Sequence, residues 1–165
     1  METLLEKKTH RKLGFTNLES AEVVLNLNQL LSNFQIYFHK LQNFHWNVKG
    51  RDFFELHQQF ETMYRDTFEK IDEVAERVRV FGKTPTSRIK DNLEKATIKE
   101  SSTDLSGEFM VRTIVEDMDI LMTNMVETTD VASANGDVGT ADLMNAYIKE
   151  LEKDHWMLMS WLQDK

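Results

Sequence analysis

The sequence predicts an all-α domain in which four long helices pack as one bundle. Its 165 residues suit a single domain, and 41% of them are hydrophobic, which is enough for a core. One proline and six glycines are too few for the many turns of a β-sandwich. Apolar residues recur in steps of three and four over long stretches, the period of an amphipathic helix.

The first half of the chain reads as a helical hairpin. Thr16-Asn17-Leu18-Glu19 has the pattern of a capping box and predicts the start of a first helix that continues to about Val48. Gly50 supplies its stop. Asp52-Phe53-Phe54-Glu55 repeats the capping pattern before a second helix, which we expect to extend from Phe53 to Phe81 and to end at Gly82.

The second half reads as another hairpin after a long connection. Ser101 to Asp104 offers caps for a third long helix that Asn135-Gly136 would end, and Asp137 or Thr140 could cap the last one. The weak pattern between Gly82 and Thr103 leaves room for a short extra helix. Two short links and one long, partly helical link are typical of a ferritin-like four-helix bundle with one crossover.

We expect this bundle to cover residues 16–165, preceded by a mobile, mildly basic tail over residues 1–15. The apolar stripes of the four helices should face the core, and the methionines of the third helix should fill gaps in it. The positions expected to be buried include Leu27, Leu30, Phe60, Phe68, Phe109, Met118, Met122, Met125, Val126, Trp156 and Met159.

The amino-acid composition limits the kinds of site that the protein can contain. The absence of cysteine excludes disulfides, thiolate metal sites and cysteine nucleophiles, so a metal site would use nitrogen and oxygen donors. No apolar stretch approaches the roughly 18 residues of a membrane span, and the first residues lack the apolar middle of a signal peptide. We therefore expect a soluble protein that is not exported and makes no membrane contact.

Two ligand-type pairs occur on the second helix. His57 is followed at i+4 by Glu61, and Asp72 is followed at i+4 by Glu76, so each pair shares a helix face. Such pairs often form only a solvent-exposed polar stripe on a helix and bind no metal. His57 and Asp72 lie about 22 Å apart along a helix and cannot share an ion within one chain. If two copies of the helix pack antiparallel about a two-fold axis, His57 and Glu61 of one chain meet Asp72 and Glu76 of the other.

His45 could fold back over the turn at Gly50 and add a second imidazole to the His57 end. The assembled set would contain two histidines and three carboxylates: His45, His57, Glu61, Asp72 and Glu76. A mixture of imidazole and carboxylate without thiolate suits iron in both of its common oxidation states. The sequence therefore favours a redox site for iron that two chains share.

The same segments resemble the Dps family of ferritin-like proteins that protect DNA in starved bacteria. The resemblance is carried by Asn43-Phe44-His45-Trp46-Asn47-Val48-Lys49-Gly50, by Phe53-Phe54-Glu55-Leu56-His57 and by Ile71 to Arg77. Phe60-Glu61 and His155-Trp156-Met157-Leu158 are similar too, and we take the likeness to extend over about residues 16 to 163.

The resemblance implies a ferroxidase of the bacterial cytoplasm or nucleoid, assembled as a hollow dodecamer. It implies that Fe(II) is oxidised, preferentially by hydrogen peroxide but also by oxygen, at sites between two-fold-related subunits, and that Fe(III) mineralises inside. It places His45, His57 and Glu61 on one side of each site and Asp72 and Glu76 on the other. Glu61 departs from several relatives, which carry the shorter Asp, and Gln42 replaces a further histidine.

The resemblance also implies roles for three residues outside the ligand set. Trp46 would donate electrons to trapped oxidant, with an aromatic anchor at a subunit contact as the alternative. By analogy, Asp137 and Asp142 would line a three-fold channel for incoming iron. Helix capping and dipole compensation are the alternative for both aspartates and are compatible with that role.

Other functions remain open from the sequence alone. A site inside one bundle would need two Glu-x-x-His motifs, and only Glu152 to His155 fits. A DNA-compacting protein with incidental metal binding would use the tail, which is basic at Lys7, Lys8, Arg11 and Lys12. The net charge of −8 opposes DNA compaction as the function. We therefore expect only weak DNA binding, and an electrophoretic mobility-shift assay should no longer detect it when residues 1–15 are deleted.

Overall fold

The computed structural model describes residues 14–163, which contain five helices and no strand. The helices are α1 (Asn17–Asn47), α2 (Phe53–Val80), α3 (Ile89–Lys95), α4 (Gly107–Ala134) and α5 (Val138–Leu162). The helix α1 packs along α2 and α4, α4 packs along α5, and the short α3 lies against α1. The predicted four-helix bundle with a short helix in the middle connection is confirmed.

The two hairpin turns use glycines where the sequence predicts helix ends. Gly50 and Gly136 have φ of 106° and 71°, values that residues with a Cβ rarely adopt. The amide of Asp137, which follows Gly136, donates to the carbonyl oxygen of Ala132 at 2.8 Å and satisfies one of the last carbonyls of α4. Glycine therefore lets each hairpin reverse within a few residues.

The start of α2 at Phe53 is as predicted, but its predicted cap and the predicted start of α4 differ from the structure. Asp52 precedes α2, but its side chain makes no capping hydrogen bond, because its φ and ψ of −95° and 20° lie outside the extended region that a cap requires. The helix α4 begins at Gly107 rather than near Ser101. Ser106 caps it and accepts a hydrogen bond from the amide of Phe109 at 3.2 Å.

The segment before α4 fails to become helical because it is tied to the end of α1. Asn43 Nδ2 donates to the carbonyl oxygen of Ser101 at 3.1 Å, and Lys49 pairs with Asp104 at 2.9 Å. The long connection is also fixed at its middle, where Asn33 Oδ1 accepts hydrogen bonds from the amides of Thr97 and Ile98 at 2.7 and 3.1 Å. Side chains of α1 thus determine the path of the connection.

The core lies between the long helices and contains most of the predicted apolar stripes. Leu27, Leu30, Phe60, Met118 and Met125 are almost fully buried, and Met122 is half-buried. Five residues expected in the core instead lie on outer helix faces, because spacing in steps of three and four also includes the shoulders of a stripe. These are Phe68, Phe109, Val126, Trp156 and Met159, whose exposed fractions range from 39 to 65%.

The last residue of the expected tail touches the bundle. Phe15, which the sequence assigns to the tail, lies against the ring of Phe81 with centroids 5.5 Å apart. Residues 1–13 of the predicted basic tail, which include Lys7, Lys8, His10, Arg11 and Lys12, lie outside the described residues. Within residues 14–163, none of the helices is long and apolar enough to cross a membrane.

Candidate metal centre

The ends of α1 and α2 bring two imidazole rings together. The tight turn at Gly50 places His45, near the end of α1, against His57, in the second turn of α2. Their rings stack with centroids 3.8 Å apart and planes 20° apart. The ring of Phe53 stacks on His57 at 5.0 Å, and the edge of Tyr64 contacts His45 at 5.4 Å. His45 does fold back over the turn, as predicted.

Reciprocal hydrogen bonds fix the orientation of both rings. His45 Nδ1 donates to the carbonyl oxygen of His57 at 2.7 Å, and His57 Nδ1 donates to the carbonyl oxygen of His45 at 2.8 Å. A carbonyl oxygen only accepts, so each Nδ1 carries a proton and Nε2 is the nitrogen that each ring keeps for a ligand. Metal-binding histidines are commonly oriented in this way. The sequence contains no signal for these bonds, because they depend on the geometry of the turn.

Glu61 lies one turn beyond His57 on α2 and is held by Arg65. Its Oε1 accepts hydrogen bonds from Nε and Nη2 of Arg65 at 2.9 and 2.6 Å. The hydrogen bonds from Arg65 hold the pKa of Glu61 below its usual value, so the carboxylate is ionised at neutral pH. The sequence shows Arg65 at i+4 from Glu61, but it did not predict that Arg65 would hold the Glu61 carboxylate.

The second predicted pair lies further along the same helix. Asp72 and Glu76 are both exposed, and Asp72 is about 22 Å from His57 along the axis of α2. Among the described residues of one chain, no group of three or more histidine and acidic side chains could hold a metal ion. The structure brings His45 and His57 together with Glu61 nearby, and it leaves Asp72 and Glu76 as a separate pair.

An open apolar depression lies between the two pairs. Position 66.5 is the midpoint of 57 and 76 and also of 61 and 72. Phe68, next to this midpoint, is 57% exposed, and its ring lies 6.1 Å from that of Phe38 on α1. The depression is lined by Phe38, Tyr64, Arg65, Asp66, Phe68 and Glu69.

The remaining predicted residues fall outside this region. Trp46 is 68% exposed next to His45, and Asp142 is exposed near the start of α5. Asp137 is almost fully buried, where it caps α5 by accepting from the amide of Thr140 at 3.1 Å. It also pairs with Arg77 at 2.6 Å. The predicted capping role of Asp137 is confirmed, and the channel role of Asp137 and Asp142 stays a prediction.

The match to a known family agrees with this fold. Residues 24–165 match the family model described as "Ferritin-like domain". The match covers most of the chain, which places the protein in the class of ferritin-like proteins.

Curated relatives and solved structures narrow the class. The chain is 38% identical over 148 residues to the DNA protection during starvation protein of Brevibacillus brevis, covering 90% of this chain and 99% of the relative. It is 36% identical over 141 residues to DNA protection during starvation protein 2 of Bacillus anthracis, covering 86% of this chain and 97% of that protein.

A crystal structure of a Dps protein from Vibrio cholerae O1, described as a ferritin-like diiron-carboxylate protein, superposes with a TM-score of 0.88 at 37% identity. It covers 90% of this chain and 94% of that chain. A Dps protein from Bacillus brevis gives a TM-score of 0.86 at 37% identity, covering 89% of this chain and 99% of that one. The chain belongs to the Dps family.

Proposed function

We propose that the protein oxidises Fe(II) at sites that two antiparallel chains complete and that it stores the Fe(III) product. One side of each site would be His45, His57 and Glu61. The other would be Asp72 and Glu76 of a second copy. The paired imidazoles with both Nε2 atoms left for a ligand are the observation that carries this proposal. Membership of the Dps family and the diiron-carboxylate description of its Vibrio relative support iron as the metal.

The depression around Phe68 supports the antiparallel pairing. A two-fold axis near position 66.5 of α2 would bring His57 opposite Glu76 of the second copy and Glu61 opposite its Asp72. The same axis would cover the exposed Phe68 ring with position 65 of the second copy and would bring the two Phe68 rings within about one helical turn of each other. Burial of a large apolar side chain contributes about 1.5–3 kcal/mol, so the centre of the contact would be apolar and its two ends would hold the ligands.

The donor set suits both oxidation states of iron. Neutral imidazole nitrogens bind Fe(II) well, and carboxylates stabilise the harder Fe(III). Each Fe(II) gives up one electron, so two ions bound at one site supply the two electrons that reduce hydrogen peroxide, with two protons, to two water molecules. Paired oxidation avoids the one-electron step that releases hydroxyl radical. The side chains bind and orient the two ions, and we propose peroxide as the preferred oxidant.

Glu61 would enter this site with one oxygen already engaged. Arg65 holds Oε1, which leaves Oε2 as the atom able to reach a metal. The exposed Trp46, beside His45, would supply further electrons when oxidant exceeds iron. Substitution of Arg65 would test the hold on Glu61, and substitution of Trp46 would test the electron supply. Neither substitution changes a proposed ligand.

We further propose that twelve chains form a hollow shell in the bacterial cytoplasm or nucleoid, as the family resemblance implies. Iron would enter along a channel that Asp142 lines, and the mineral would form inside. DNA would be protected because the shell removes both Fe(II) and peroxide, the two reactants that generate radicals. The net charge of −8 per chain favours this indirect protection over tight DNA binding.

A mixing experiment tests the shared site. Fe(II) is added anaerobically to His45→Ala and Asp72→Ala proteins, and peroxide follows while the Fe(III) absorbance is recorded. Each variant alone should lose most of its rapid oxidation. After subunit exchange with random pairing, half of the dimers are mixed, and one of the two sites in each has both intact halves. We expect about a quarter of the wild-type activity, on statistical grounds alone. Verified exchange without any recovery would refute the shared site.

A further inference from the structure

One cation lies directly beside the proposed site on α2. Arg65 follows Glu61 by one helical turn, and its Nε and Nη2 both donate to the same carboxylate oxygen, Oε1, at 2.9 and 2.6 Å. The guanidinium carbon also lies 5.7 Å from the centre of the Tyr64 ring, whose edge contacts the ring of His45. Two contacts therefore hold the guanidinium beside the half of the site that His45 and Glu61 would form.

The pair between Arg65 and Glu61 contributes little to the stability of the fold. Their side chains are 69% and 36% exposed, and exposed ion pairs one turn apart on a helix are weak because water screens them. The main effect of the pair is on the carboxylate. One of the two oxygens with which Glu61 could bind a metal ion is already engaged with a cation.

This engagement limits how many ions Glu61 can serve. A carboxylate bridges two metal ions only if each of its oxygens binds one of them, and Oε2 alone is left free of Arg65. Charge acts in the same direction. Glu61 and the proposed ligands Asp72 and Glu76 of the second copy carry three negative charges, and Arg65 reduces this sum to two, which one Fe(II) balances. A second Fe(II) would add positive charge that the ligands do not balance.

We infer that Arg65 is a positioning residue that limits the binding of a second metal ion at each proposed site. It holds Glu61 as a ligand of one ion, and its charge repels the other. This inference rests on the proposed function, because it assumes that a second chain completes the site around Glu61. Oxidation of Fe(II) in pairs then requires more Fe(II) than the amount that fills the first position.

Binding of Co(II) to the metal-free assembly tests the inference without iron oxidation. Co(II) accepts nitrogen and oxygen donors and lies next to Fe(II) in the affinity order of divalent ions, and its visible absorption reports the donors around it. Wild type should bind two Co(II) per site in two steps, the second weaker than the first. In Arg65→Met the affinity for the second ion should rise by roughly tenfold, because a nearby positive charge is removed and an oxygen of Glu61 is freed. The affinity for the first ion should rise less.

Arg112→Met is the matched control. Arg112 on α4 donates to Oε1 of Glu108 through the same two nitrogens, Nε and Nη2, at 3.0 and 2.8 Å. Its substitution therefore removes the same kind of pair and the same charge, but the pair involves no proposed ligand. Both Co(II) affinities should stay close to those of wild type. Methionine at position 65 keeps an apolar surface toward the proposed contact, so the Tm and the mass of the assembly should also stay close to wild type.

The outcomes separate this inference from the proposed function. His57→Ala and Asp72→Ala should each weaken Co(II) binding. If they do, and the second Co(II) binds Arg65→Met no more tightly than Arg112→Met, the role of Arg65 is refuted and the shared site stands. Co(II) binding that neither His57→Ala nor Asp72→Ala weakens would refute the shared site and the inference with it. An Arg65→Met protein that fails to assemble would also overturn the inference, because Arg65 would then serve the contact between chains.

Discussion

At the scale of single residues, the protonation of two imidazole rings decides what the candidate site can bind. His45 and His57 each use Nδ1 on a backbone carbonyl oxygen, so Nε2 is the nitrogen that each ring keeps for a ligand. The sequence predicted that both histidines belong to one site. It could not predict the tautomer, because that depends on the carbonyl directions at a turn of five residues between the helices.

The tautomer can be measured directly. In metal-free protein with ¹⁵N-labelled histidine, long-range ¹H–¹⁵N correlation spectra at pH 8 should show protonated Nδ1 and unprotonated Nε2 for His45 and His57. The exposed His39 serves as the reference ring. Protonated Nε2 atoms on His45 and His57 would contradict the proposed ligand geometry.

A buried ion pair offers a second residue-scale prediction. Lys40 and Asp117 pair at 2.6 Å with side chains 4% and 7% exposed. Asp117→Asn should lower the free energy of unfolding by about 3–5 kcal/mol, because the Lys40 ammonium would stay buried without its counter-charge. Lys40→Met combined with Asp117→Leu should cost far less. Urea unfolding at pH 7 measures both. Asp104→Asn in the exposed pair with Lys49 is the control, and an equal cost for Asp104→Asn and Asp117→Asn would contradict the argument.

Burial raises the pKa of Asp117 although the hydrogen bond from Lys40 opposes the shift. The cost of burying the carboxylate therefore offsets part of what the ion pair contributes to stability.

At the scale of helices, the sequence predicted helix ends and caps correctly where they depend on a few adjacent residues. Gly50 and the Asn135-Gly136 pair ended α1 and α4 as predicted, and Asp137 caps α5. The start of α4 was predicted wrongly, because Asn43 of α1 and Lys49 of the turn after α1 bind the segment that looked like a cap. A contact between segments about 55 residues apart leaves no local trace in a sequence.

The cap of α5 gives an element-scale prediction. Asp137→Ala should destabilise the protein by about 1–2 kcal/mol through loss of the cap, and by more if the guanidinium of Arg77 is left without its partner. Asp137→Asn keeps the capping oxygen and should cost less. Thermal unfolding measures both. Equal Tm values for Asp137→Ala and wild type would show that the cap contributes nothing.

At the scale of the whole molecule, one chain carries the two proposed half-sites on similar faces of α2, with an apolar depression between them. The sequence predicted the half-sites from spacing alone. It did not predict that Phe68 would be exposed between them, because an apolar residue at helical spacing looks the same whether it packs within a chain or against a second chain.

Phe68 therefore gives a test of assembly. Phe68→Glu should weaken the pairing of chains, because the axis would bring two carboxylates together in an apolar contact, and rapid Fe(II) oxidation should fall with it. Phe68→Leu should keep both assembly and oxidation. Light scattering gives the mass against the 19.4 kDa of one chain. A Phe68→Glu protein that assembles and oxidises iron like wild type would place the contact elsewhere.

The proposed site between two chains is tested most directly by locating iron itself. Crystals soaked anaerobically in a ferrous salt should show anomalous iron peaks at the edge of the iron absorption, between paired chains. Each peak should lie within bonding distance of Nε2 of His45 or His57 from one chain and of the Asp72 or Glu76 carboxylate from its partner. Iron bound wholly within one bundle, with Asp72 and Glu76 far from any peak, would contradict the account.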